Sequence, residues 1–141
     1  MKRTGWVLLL VFAVLPTAVG CGDQVKVSGK VVFSDDQTPV QSGMISFTSD
    51  TFLARGEIRD GAYTLGSVDE GDGVKPGTYN VSFIDVTGSD PKVGVDQGES
   101  MPESLIDAKY TSPETSGLTV TIDKAQSDLN FSLDRNPRIK R

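Results

Sequence analysis

The chain contains no histidine, a single cysteine at Cys21 and a single tryptophan at Trp6. Each absence removes a class of function. Without an imidazole, a Ser-His or Cys-His nucleophile has no general base. Without a second cysteine, no disulfide can form inside the chain. Paired carboxylates remain as an acid–base device, but no spacing in the sequence singles out a pair. The chain is therefore expected to be no enzyme and to need no cofactor. Basic residues are in the minority: 14 Lys and Arg face 19 Asp and Glu, a net charge of −5. Nucleic-acid binding draws on a basic face that displaces counterions, so this balance argues against that partner. Long apolar runs are scarce too. Trp6 to Leu15 is continuously apolar but spans only 10 residues, whereas a membrane helix needs about 20.

What is present begins with that run. Lys2 and Arg3 precede it, and Pro16, Thr17, Ala18, Val19 and Gly20, mostly small, follow it. This is the layout of a secretory signal peptide over residues 1–20. The sequence Ala18-Val19-Gly20-Cys21 resembles the bacterial lipobox, with alanine where leucine is usual. The resemblance implies cleavage before Cys21, acylation of Cys21 through its sulfur and its amine, and a membrane as partner. Gly22 rather than aspartate follows the cysteine, and by resemblance to the sorting rule of enteric bacteria this points to the outer membrane. The alternative is an ordinary signal peptide that leaves Cys21 as an unpaired thiol, a liability in an oxidising compartment. One acyl chain anchors only marginally, at about 0.8 kcal/mol per methylene, so two or three on one residue would hold a domain persistently. A chain starting at Cys21 has 121 residues, with 12 basic against 19 acidic groups, net −7. That is one domain, large enough for a core without disulfides.

After Cys21 the dominant period is two, the mark of half-buried strands. Val25, Val27, Gly29, Val31 and Phe33 form a first alternating set; Ile45 and Phe47 mark a second strand over Met44 to Thr48. Ala54 to Arg59 is polar and reads as an edge strand. Ala62 to Val68 carries Tyr63 and Leu65, and Thr78 to Val86 places Tyr79, Val81 and Phe83 on one face. Leu118, Val120 and Ile122 mark a sixth strand, and Leu129, Phe131 and Leu133 a seventh. Asp60-Gly61 is a two-residue hairpin signal, since both positions accept positive φ. Lys75-Pro76-Gly77-Thr78 fits a type II turn. Seven short strands separated by turns predict an all-β, antiparallel sandwich over residues 21–134. Residues 88–116 break the rhythm as a long loop. Within it Ser100-Met101-Pro102-Glu103 has the spacing of a capping box and predicts one to three helical turns ending near Tyr110. Residues 135–141 read as a basic tail that frays.

Taken together, "VSGKVVF" at Val27, "TPVQSGMISF" at Thr38, "GAYTL" at Gly61, "KPGTYNVSF" at Lys75 and "KYTSPETSGLTVTI" at Lys109 resemble the small bacterial lipoproteins that carry a carboxypeptidase-regulatory-like, transthyretin-like domain. The likeness covers nearly all of Gln24 to Asp134. It implies a prealbumin-like, seven-stranded Greek-key β-sandwich, and it implies no catalytic residues.

Several polar motifs remain. Asp69, Glu70 and Asp72 on a Gly-rich loop are the weak candidates for a metal site, as oxygen ligands suited to calcium, against the plainer reading of a solvated turn. A carbohydrate partner would stack on aromatics; Tyr63 and Tyr79 fall at inward positions, which leaves Tyr110. Arg135, Arg138, Lys140 and Arg141 form a solvated tail or touch anionic lipid or an acidic partner. Asn80-Val81-Ser82 matches a glycosylation acceptor but lies within a strand, behind a bacterial type of leader. The expectation is a lipid-anchored structural or interaction module with an unknown envelope protein or glycan partner, contacted through Gly88 to Ser116. A carbohydrate- or calcium-dependent binding domain is the second reading.

Overall fold

The computed structural model describes residues 24–87 and 103–139. The leader, Cys21, most of the expected capping box, Lys140 and Arg141 lie outside the described residues. Seven strands follow in chain order: β1 (Ser28–Phe33), β2 (Ser42–Thr48), β3 (Leu53–Arg59), β4 (Ala62–Thr64), β5 (Gly77–Ile84), β6 (Thr119–Ile122) and β7 (Phe131–Leu133). The alternation behind them is a burial pattern. Val27, Val31 and Phe33 are buried while Lys26 and Lys30 face solvent. Asp60 and Gly61 take φ of 49° and 79°, so the hairpin turn after β3 forms as its two residues require.

The strands form one sheet in the order β6-β5-β2-β3-β4-β1-β7. The sheet is mixed: β7 runs parallel to β1, with Val31 opposite Phe131 and Phe33 opposite Leu133. This corrects the purely antiparallel expectation. The link after β6 returns the chain to the end where β1 begins, and Gln126 bridges Val27 in parallel before β7 starts. Strand β3 lies between β2 and β4, so it is interior and not an edge. Its exposed Arg55, Glu57 and Arg59 alternate with buried Ala54, Gly56 and Ile58, which marks one solvent face. β6 and β7 hold the edge positions.

The sheet cannot be flat. Strand β2 stands four places from β7, a separation of roughly 19 Å in a flat sheet. Yet the Phe47 ring of β2 lies 6.1 Å from Phe131 of β7, and Phe83 of β5 lies 5.8 Å from it. The sheet curls into a half-barrel whose two ends face one another across this aromatic cluster. Val27, Ile45, Ile58, Leu65, Val81 and Leu133 fill the rest of the core. Strands β3 and β4 form a hairpin, with Arg59 paired to Ala62 and Arg55 bridged to Gly66 in the same register.

Three local expectations are revised. Gly77 opens β5 opposite Ile122 and has no positive φ; Gly71 and Gly73 take that role, so the type II turn at Lys75–Thr78 is not formed. β4 ends at Thr64 because the chain then enters a tight turn that exposes Val68. The expected helix is a single 3-10 turn, Ala108–Thr111, capped by Asp107, whose side chain accepts from the Lys109 amide.

The strand registers define two poles. Gln24, the turn at 66–76 and the link at 123–128 gather at the N-terminal pole. The β1–β2 turn, Thr87, residues 103–111 and residues 134–139 gather at the far pole.

Candidate functional site

The densest polar cluster is at the far pole. Because β1 and β7 are parallel, the residues that follow them emerge side by side. Arg135 Nε donates to Asp35 Oδ2 at 2.9 Å, and its Nη2 donates to Asp36 Oδ2 at 3.1 Å and to Thr38 Oγ1 at 2.9 Å. The guanidinium stacks 3.6 Å from the centre of the Phe33 ring. Its planar fork and weak hydration suit both contacts, which an ammonium would not satisfy together. Next to it, the Asp134 carboxylate accepts from Ser34 Oγ at 2.7 Å, Lys109 Nζ at 2.8 Å and the Tyr110 hydroxyl at 3.0 Å. These donors, Lys109 first, hold Asp134 down to a pKa of about 2. The same pairing raises the Lys109 ammonium above its usual value.

The cluster fastens the segment that re-enters at 103. Ile106 bridges Arg135, the Asn136 amide donates to the Leu105 carbonyl at 2.9 Å, and its side-chain amide donates to the Ser104 carbonyl. Thr87 in turn bridges Ser104. Thr87 and Ser104, on either side of residues 88–102, are therefore backbone neighbours. Arg135 and Asn136 belong to the domain, which corrects the reading of a frayed tail from 135. The sequence signal existed as Asp35-Asp36 after one strand and Asp134-Arg135 after another. Their meeting depends on the β1–β7 pairing, which no local pattern reveals.

The three calcium candidates stand at the N-terminal pole. Asp72 Oδ1 accepts from the Ser67 amide at 2.6 Å, while Oδ2 accepts from the Val68 amide at 3.0 Å and from Ser67 Oγ at 3.0 Å. The amide of Asp69 adds a longer bond of 3.3 Å. The amides of Val68 and Ser67 lower the Asp72 pKa to about 2. Its oxygens thus serve as the cap of a turn. Among the described residues, no three Asp, Glu, His or Cys side chains gather in a way that could hold a metal ion.

All three tyrosines are buried, including Tyr110, the one expected to be free for a sugar. Tyr110 packs edge-on against Phe83 at 6.5 Å. The Tyr63 hydroxyl donates to the Leu129 carbonyl at 2.6 Å and that of Tyr79 to the Lys75 carbonyl at 2.6 Å; burial raises the pKa of both. Asn80 lies in β5, as expected, and accepts from Thr119 Oγ1. Above Tyr63 an open depression of about 480 Å³ is lined by Ser28, Lys30, Thr64, Asp128 and Asn130. Its groups suit hydrogen bonds to a polar ligand, and no imidazole stands behind its hydroxyls because the chain has none.

No family model matches the chain, and no curated protein or solved structure matches it.

Proposed function

We propose that this protein is a non-catalytic lipoprotein of the bacterial cell envelope, held by an acylated Cys21 and presenting a transthyretin-like interaction module. One observation carries the reading. Gln24 is already tied into the fold, donating to Ser67 Oγ at 3.1 Å, and Val25 pairs with Val74. Only Gly22 and Asp23 separate that first contact from the cysteine. A single cysteine only three residues before the first described contact of the fold suits a short lipid anchor. Gly22 after the cysteine favours the outer membrane.

The finer fold reading, a prealbumin-like Greek-key sandwich, draws support from the curl of the sheet, which brings β2 and β5 against β7 through Phe47, Phe83 and Phe131. Strands β2, β3 and β4 are consecutive neighbours and β1 returns beside β4, the connectivity of a Greek key. The far pole is the proposed contact surface for an envelope protein, because Thr87 and Ser104, which flank residues 88–102, pair there beside the Arg135 and Asp134 clusters. A carbohydrate-binding domain is the second reading; with all three tyrosines buried, the depression lined by Ser28, Lys30, Thr64, Asp128 and Asn130 would offer a glycan hydrogen bonds but no ring to stack on, and a flat glycan-array profile would remove it.

The deciding experiment is the intact mass of protein extracted from membranes, beside a Cys21→Ser variant. The expected native mass begins at Cys21 and includes acyl groups that the variant lacks. An unmodified thiol at Cys21, or a different first residue, would overturn the anchor.

A further inference from the structure

Building on the lipid-anchor reading, we propose that the domain stands on the bilayer by its N-terminal pole, with the Ser67–Gly73 turn against zwitterionic headgroups and Val68 entering them. Consecutive Cα atoms are 3.8 Å apart, so three steps place Cys21 within about 11 Å of Gln24. Gln24 is bonded to Ser67, at the start of that turn. An acylated Cys21 sits at the membrane interface, so the turn is brought to the interface with it.

The turn is built to present what it carries. The Asp72 carboxylate grips the amides of Ser67, Val68 and Asp69, which fixes the backbone under Val68. Val68 is 90% exposed, against 42% for Leu53 and 39% for Ile84. Leu53 begins β3 two residues beyond the Arg55–Gly66 bridge, at the same pole. One valine cannot recruit a domain to a membrane by itself. Tethered by so short a linker, it acts at high effective concentration and is enough to set orientation. At this pole Asp69, Glu70, Asp72, Asp123 and Asp128 outnumber Lys26, Lys75 and Lys124, which selects a zwitterionic surface over a strongly anionic one.

The test uses the full acylated protein in vesicles of phosphatidylcholine and phosphatidylethanolamine. Val68→Cys and, at the far pole, Arg138→Cys are each labelled with a fluorophore and exposed to a nitroxide quencher carried in the bilayer. Several-fold stronger quenching at position 68 is expected, and a flexible Gly-Ser insertion between Gly22 and Asp23 should reduce the difference. Equal quenching at the two positions in a chain whose mass shows acylation overturns the orientation alone. A chain without acyl mass overturns the anchor and the orientation together. Shielding of position 68 that follows protein concentration and not lipid assigns the turn to a second copy of the chain and also overturns the proposal.

Discussion

Arg135 shows how much one side chain can organise. It is 21% exposed, stacks on Phe33 and bonds to both Asp35 and Asp36. Charge-assisted bonds of this kind contribute about 1.5–3 kcal/mol when partly shielded. Arg135→Ala should therefore lower stability by about that amount in urea denaturation, and Arg135→Lys should recover less than half of it, because an ammonium cannot fork. A lysine variant as stable as the parent would show that charge alone matters. Asp134 gives a pH signature. Its folded pKa of about 2 lies below the ordinary value near 3.9. The stabilisation is present above pH 4 and is lost as pH falls toward 2. Asp134→Asn should accordingly narrow the difference in Tm between pH 7 and pH 3. An unchanged difference would place the acid sensitivity elsewhere.

At the level of elements, β1 is the strand with most asked of it. It pairs with β4 on one side and β7 on the other, and Gly29 is where the approach is closest. A Cβ there would stand 2.0 Å from the Leu129 carbonyl oxygen, a backbone atom that cannot swing aside. Gly29→Ala should cost on the order of 3 kcal/mol. Gly117→Ala, at φ +68° with open space around it, should cost about 1–2 kcal/mol from backbone strain alone. Comparable losses at both sites would mean that the close approach is not limiting. The strand itself was legible: Val27, Val31 and Phe33 alternate with Ser28, Lys30 and the half-buried Val32 as half-buried strands do. The reason for Gly29 was not, since it lies in a partner about 100 residues away in sequence. Local polarity likewise misled at β3, where a solvent-facing side resembled an edge. Tyr110 looked available in an irregular segment, yet its hydroxyl is claimed by Asp134 and its ring by Phe83.

For the molecule as a whole, Phe131 is the keystone of the curl. Its ring meets Phe47, Tyr63 and Phe83, so it touches both halves of the bent sheet. Phe131→Ala should cost about 3–5 kcal/mol, a large share of a domain's total stability of roughly 5–15 kcal/mol. A loss under about 1 kcal/mol in urea denaturation would mean that the two halves hold together without it. All-β character and most core positions could be read from period-two alternation. The curl could not, because it depends on which strands pair, and parallel pairing leaves no short-range mark in the sequence. The far-pole cluster was hidden for the same reason: its acids and its arginine belong to opposite ends of the chain.

That first-with-last pairing has a kinetic consequence. A chain that emerges N-terminus first delivers Ser28–Phe33 about 100 residues before Phe131–Leu133. Until then β1 has one open edge, Phe33 lacks its Arg135 cover, and the aromatic cluster lacks the ring that joins its halves. The curl of the sheet therefore closes only once residue 133 has emerged, however early β1 appears.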